Sequence, residues 1–214
     1  MHAALIAQLL IHMRSYPVAK FVKKAFLFAA YDGCCAESNG FFGIWRPSML
    51  RTGVNATSDS VQPTAWLNKI IPLAGTAAYA TASALLDVPS GRLPGIFVVD
   101  HSESTFEPPY LPSCVAFESD PGSPLHAPPL LVLMMQGHHY NDYVDVKLKV
   151  TTAAPSGELL LRNGLGTPMK ITVGEGLEEQ GVLALSLRVT PLPQYLILPP
   201  DSSATDACGT LTWT

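Results

Sequence analysis

"YVDVKLKVTTAAPSGELLLRN", residues 143 to 163, decides how this chain is read. Val144, Val146, Leu148 and Val150 alternate with Asp145, Lys147, Lys149 and Thr151. Successive side chains of a strand point to opposite faces, so the apolar set goes to a core and the polar set to water. A slip of one residue would invert both sets, which specifies the register. Pro155-Ser156-Gly157 then interrupts the run and Leu159, Leu160 and Leu161 start another, so the pair reads as a hairpin.

The same period recurs on both sides. "GIFVVD" (95–100), "CVAFES" (114–119), "LLVLMMQ" (130–136), "MKITVG" (169–174), "VLALSLRVT" (182–190), "YLILP" (195–199) and "GTLTWT" (209–214) join the two opening segments as nine strand candidates. In 182–190, Leu183, Leu185, Leu187 and Val189 face inward beside Ala184, Ser186, Arg188 and Thr190. Turn signals fall between the segments, and the 19 prolines of the chain, Pro108-Pro109, Pro128-Pro129 and Pro199-Pro200 among them, punctuate short strands and exclude long helices beyond about residue 87. Many short strands with such spacing predict an antiparallel β-sandwich or barrel over 95–214.

The first 94 residues follow another pattern. "AALIAQLLIHM" (3–13) is apolar nearly all round, which predicts a buried helix. Pro17 interrupts it, and "VAKFVKKAFLFAAY" (18–31) resumes with Val18, Phe21, Val22, Ala25 and Phe28 on one face. Residues 1–31 therefore form a basic, helical N-terminal arm. Residues 32–94 read as an irregular, Ala-rich segment packing on the body, with "GTAAYATASALLD" (75–87) open between a short helix, a strand and a packed loop.

Charge narrows the function classes. Charged residues are 14% of the 214, where roughly 25% is usual. Large permanent interfaces are depleted in Lys, Glu and Asp, so a surface this poor in charge fits burial against partner subunits. The net charge of −4 is uneven: Arg14, Lys20, Lys23 and Lys24 precede the first acid, Asp32. A basic N-terminus on an acidic body suits contact with nucleic acid or an anionic surface, and four charges make that contact weak and salt-sensitive. The bland alternative is a helix packed on the body that lacks acids. No run reaches bilayer-spanning length, and "AALIAQLLI" lacks the preceding positive charge of a secretory signal.

The motifs of common enzymes do not occur: no GxSxG, no GxxxxGK, no GxGxxG opening a helix, no HExxH. Cys34, Cys35, Cys114 and Cys208 follow no zinc or CxxC spacing and read as incidental buried thiols of a reducing compartment. "GHHYNDY" (137–143) places His138, His139, Tyr140 and Asp142 in a loop between strands. Adjacent histidines of an extended chain point apart, so an interface or ligand loop is expected there rather than a metal site. "DHSESTFEPPY" (100–110) holds Asp100, His101, Ser102, Glu103 and Glu107, and "GEGLEEQG" (174–181) is acidic; both read as polar loops. No cofactor is expected. A carbohydrate- or ligand-binding module would need exposed aromatics on a sheet face, for which Tyr140, Tyr143, Tyr195 and Trp213 are the candidates. A metal-dependent or hydrolytic enzyme would have to use His138, His139 or His101.

"GHHYNDYVDVKLKVTT" resembles the middle strands of the jelly-roll capsid proteins of picorna-like RNA viruses, and "LSLRVTPLPQYLILPP" and "GTLTWT" resemble their closing strands. The resemblance covers residues 95 to 214; the Ala-rich first part departs from it. It implies a mainly β, jelly-roll-like antiparallel sandwich with a partly helical N-terminal segment, serving as a virion shell subunit. Its partners would be copies of itself or sibling capsid subunits. Residues 14 to 24 would make weak contact with packaged nucleic acid, and the particle would assemble in the host cytoplasm. Outside a virion, an intracellular, reducing location would be expected.

Overall fold

The computed structural model describes residues 2–22, 45–47, 70–72, 74–86, 91–98, 111–136, 139, 141–153, 159–173 and 181–213. It is mainly β. Two helices, α1 (His2–Met13) and α2 (Ala74–Leu86), accompany the short pair β1 (Trp45–Pro47) and β2 (Ile70–Pro72). The body contains β3 (Ile96–Phe97), β4 (Pro112–Phe117), β5 (Leu130–Met135), β6 (Val144–Thr151), β7 (Leu160–Asn163), β8 (Pro168–Met169), β9 (Thr172–Val173), β10 (Val182–Val189) and β11 (Gln194–Ile197). A short helix, α3 (Ala204–Gly209), and β12 (Thr212–Trp213) close the described chain. Each of the nine segments read as strands contains one. One antiparallel sheet has the order β3-β4-β5-β11-β7-β8, the other β12-β6-β10-β9, consistent with a β-sandwich.

The six-stranded sheet is the middle layer of three, and its sequence says why. On β5, Leu131, Leu133 and Met135 enter the core shared with the four-stranded sheet. Leu130, Val132 and Met134 enter a second core against α1 and α2. β4 divides likewise: Cys114 and Ala116 go to one side, Val115 and Phe117 to the other. A strand covered on both faces has no use for polar alternation, hence the unbroken "LLVLMM". β6 and β10 face water on one side, and their burial alternates as the sequence requires.

The opening hairpin is not formed. β6 pairs with β10 along its whole length, Val144 opposite Val189 and Thr151 opposite Val182, while β7 pairs with β11 and β8 in the other sheet. Alternation fixes which face of a strand is buried, and leaves its partner open. β10 matches β6 in length and period, and Arg188 opposite Asp145 adds a bidentate ion pair at 2.9 and 3.2 Å. The chain between Thr151 and Leu160 is long enough to cross the roughly 10 Å separating packed sheets.

α1 and α2 pack together through small side chains: Ala4, Ala7, Ala78 and Ala82 are all buried. Gln8 of α1 donates to the carbonyls of Met135 and Pro191, at 3.0 and 2.6 Å, which ties the helix to the end of β5 and to the β10–β11 turn. The chain leaving α1 bridges from Ser15 to Gly95, where a Cβ would lie 2.5 Å from the ring of the buried Phe117, so that ring takes the space a side chain would need. The apolar circumference of α1 does not bury it whole: Leu5 and Leu9 are 57% and 49% exposed.

Two further corrections concern the C-terminal segment. Cys114 on β4 and Cys208 on α3 are joined in a disulfide and are not free thiols. The helix carrying Cys208 begins at Ser203, whose hydroxyl accepts from the Asp206 amide, and Glu118 accepts from the amides of Ala204 and Thr205. Ala204, Ala207 and Cys208 then fill the end of the sandwich core. Six residues are too few to show a helical period in sequence, but Ser203 three places before Asp206 is a capping signal. Tyr195, a candidate for an exposed aromatic, is fully buried between the sheet and the helices, and its hydroxyl has no hydrogen-bond partner among the described residues.

The disulfide closes a span of 94 residues. Replacing Cys114 and Cys208 together by alanine is expected to lower the unfolding free energy by about 2–4 kcal/mol in denaturant titrations. Tyr195→Phe removes an unpaired buried hydroxyl and is expected to raise stability by about 1 kcal/mol in the same assay.

Candidate functional site

Of the basic residues singled out near the N-terminus, Arg14 and Lys20 are described; Lys23 and Lys24 lie outside the described residues. Arg14 follows α1, and its Nε donates to the Leu86 carbonyl at 2.8 Å, so this cation satisfies the last turn of α2. Lys20, exposed in a 3-10 turn at Val18–Lys20, lies 4.4 Å from the Tyr16 ring centre, with Nζ 2.9 Å from the phenol oxygen. One charge is therefore committed to the fold and one stands at the surface.

In the histidine loop, His139 and Asp142 are described, and His138 and Tyr140 lie outside the described residues, as do Asp100, His101, Ser102, Glu103 and Glu107. The amide of His139 donates to the Asp142 carboxylate at 2.8 Å, and the Asp142 amide returns a bond to the His139 carbonyl at 3.1 Å. Asp142 thus shapes the turn into β6. Among the described residues no three His, Cys, Asp or Glu side chains are grouped so as to hold a metal. No described helix is long and apolar enough to cross a membrane.

Two surfaces have chemical character. The first is apolar. Leu5, Leu9 and His12 follow one another along the outer side of α1, and the His12 ring stacks on Phe97 with centres 5.3 Å apart. Phe97 and Ile96 belong to β3, which ends the six-stranded sheet, and are 37% and 51% exposed. Tyr16, Val18 and Phe21 continue beyond the helix, also exposed. Sequence reasoning missed this surface by treating α1 as uniformly apolar. The buried residues are Ala4, Ile6, Ala7 and Ile11, and Leu5 and Leu9 fall off their face, a distinction that an all-apolar helix does not show in sequence.

The second surface is a cleft of about 470 Å³ where β10 runs past the end of β9. β9 covers β10 only at Leu185 and Ser186, which leaves Leu187 and Arg188 at the rim. Lys147, Ser186 and Arg188 stand along the outside, Lys170 lies on the chain crossing from β8 to β9, and Leu161 and Leu187 form apolar wall. Gln194 also lines the cleft. It is 3% exposed, on the face of β11 that turns to the sandwich core, and its Nε2 donates to the Arg188 carbonyl at 2.5 Å. That bond assigns the amide orientation, and Oε1 is left without a partner among the described residues. The Arg188 guanidinium lies 4.0 Å from the ring centre of the half-exposed Tyr143, and its hydrogen bonds hold the Asp145 carboxyl below its ordinary pKa. Trp213 packs partly on the sandwich core.

Comparison of the chain with protein-family models, curated proteins and solved structures finds no match.

If the outer side of α1 is a surface and not part of the core, its leucines are dispensable for folding. Leu5→Lys with Leu9→Lys is expected to change the stability of the isolated chain by no more than about 0.5 kcal/mol. Ala7→Leu, in the helix seam, is expected to cost about 1–3 kcal/mol. Denaturant titration of both variants checks the contrast.

Proposed function

We propose that the protein is a structural assembly subunit, a viral capsid or capsid-associated protein of the picorna-like kind, acting through large interfaces with copies of itself or sibling subunits. The observation that carries this reading is the outward apolar surface of Leu5, Leu9, Ile96 and Phe97 beside the β3 end of the six-stranded sheet, in a chain with 14% charged residues. A cluster of large exposed apolar side chains is a liability for a lone molecule and an asset for one that is covered.

The winding of the strands supports a jelly-roll-like topology. β5, β6, β7 and β9 alternate between the two sheets in chain order. β10 then inserts between β6 and β9, and β11 between β5 and β7. Successive crossing followed by insertion of the last strands is how two Greek keys wind into a roll. Lys20, Lys23 and Lys24 are the cations left to touch packaged nucleic acid once Arg14 holds Leu86, and so few charges fit a weak contact. A virion location, with assembly in the host cytoplasm, fits the Cys114–Cys208 disulfide if the bond closes as the particle meets an oxidising exterior.

The alternative reading, a carbohydrate- or ligand-binding β-sandwich module, draws on the cleft beside Gln194.

Sedimentation velocity over a wide concentration range tests the assembly reading. The expected result is concentration-dependent growth beyond the monomer, abolished by Leu5→Lys, Leu9→Lys and Phe97→Lys together. A chain that stays monomeric at millimolar concentration overturns it.

A further inference from the structure

The geometry points to an acidic saccharide as the occupant of the cleft between β10 and the β8–β9 crossing: a sugar whose carboxylate or sulfate pairs with Lys147 and Lys170 while one of its hydroxyls donates to Oε1 of Gln194.

Charge is the first ground. Residues 95 to 214 contain thirteen acids and five basic residues: Lys147, Lys149, Arg162, Lys170 and Arg188. Lys147, Lys170 and Arg188 line this cleft, and Lys149 lines the adjoining groove over β6 and β12. An acidic body has collected four of its five cations on one face. Among the described residues lining the cleft the one acid, Asp145, is already held by both arms of Arg188. Lys147 and Lys170 are exposed and have no carboxylate partner among the described residues. Two ammonium groups beside a pocket attract an anion.

Gln194 is the second ground, and it is independent of charge. A buried amide oxygen without a donor is costly, so such an atom at a cleft marks a place where a ligand's donor is wanted. Its neighbour Nε2 is spent on the Arg188 carbonyl, so Gln194 cannot turn the amide round without losing that bond. Sulfate or a phosphodiester linkage brings acceptors only. A sugar brings hydroxyl donors with its anionic group. Ser186 adds a further hydroxyl, and the apolar sides of Leu161 and Met169 offer a surface to sugar C–H groups. A stacked nucleobase would need an aromatic ring in the wall, and no described aromatic residue lines the cleft. The volume lies within the range of roughly 300–1,000 Å³ usual for small-ligand sites.

This inference does not depend on the assembly reading, because the cleft opens on the side of the sandwich away from α1. Calorimetric titration of the intact chain tests it with two probes, a heparin-derived tetrasaccharide and trigalacturonate, which separate sulfate from carboxylate. Binding of either probe is expected, with no heat from the neutral maltotriose. Lys147→Gln with Lys170→Gln, both at exposed positions, is expected to weaken the bound probe about tenfold or more. Gln194→Leu is expected to weaken it about tenfold as well, with thermal melting run alongside to show that the variant is folded. The proposal is overturned if neither acidic probe binds. It is also overturned if the lysine variant binds as the parent does, or if oligo(dT) binds as tightly as the sugars with the same lysine dependence. Retained binding by a folded Gln194→Leu variant removes the saccharide assignment too, since a polyanion site would behave that way.

Discussion

The structure depends on one sheet being buried on both faces. β4, β5 and β11 send alternate side chains to opposite cores, so the two cores cannot form separately. Val115, Val132 and Tyr195 need α1 and α2 as much as Cys114, Leu133 and Leu196 need β6 and β10. The helices are therefore a third layer of the fold, held by Gln8 to the strand ends and by Arg14 to Leu86. The same constraint explains the composition: a middle sheet without a wet face removes the positions where a two-layer sandwich carries polar residues.

How much of this was legible follows from what each signal encodes. The two eight-residue alternations at 144–151 and 182–189 gave faces and burial correctly because period two is a property of a single strand. Pairing is a property of two strands, and nothing within 143–163 says that Val144 seeks Val189 across the sequence instead of a neighbour just past Pro155. The disulfide was hidden for the same reason: Cys114 and Cys208 are brought within 5.7 Å at Cα by β4 and α3, and no local spacing announces it. Gln194 could not be singled out in sequence, since an isolated Gln before an apolar run looks like a strand end. Its interest arises only once its amide is seen to be buried with one atom paired and the other not.

The two outer layers differ in chemistry, and that difference orders the functional readings. The helix side presents Leu5, Leu9, Tyr79 and Phe97, while the wet face of the four-stranded sheet presents Asp145, Lys147, Lys149, Ser186 and Arg188. Covering the first removes apolar area from water at little electrostatic cost. Covering the second would strip water from ammonium groups that have no carboxylate partner among the described residues, which burial penalises unless an anion replaces the water. In a shell built from this subunit, neighbours accordingly take the α1 and β3 side, and the basic sheet face stays in contact with solvent. A cleft lined by Lys147, Lys170 and Gln194 on that wet face remains open to a soluble anion after assembly, so the two proposals place their partners on different sides of one molecule and do not compete for surface.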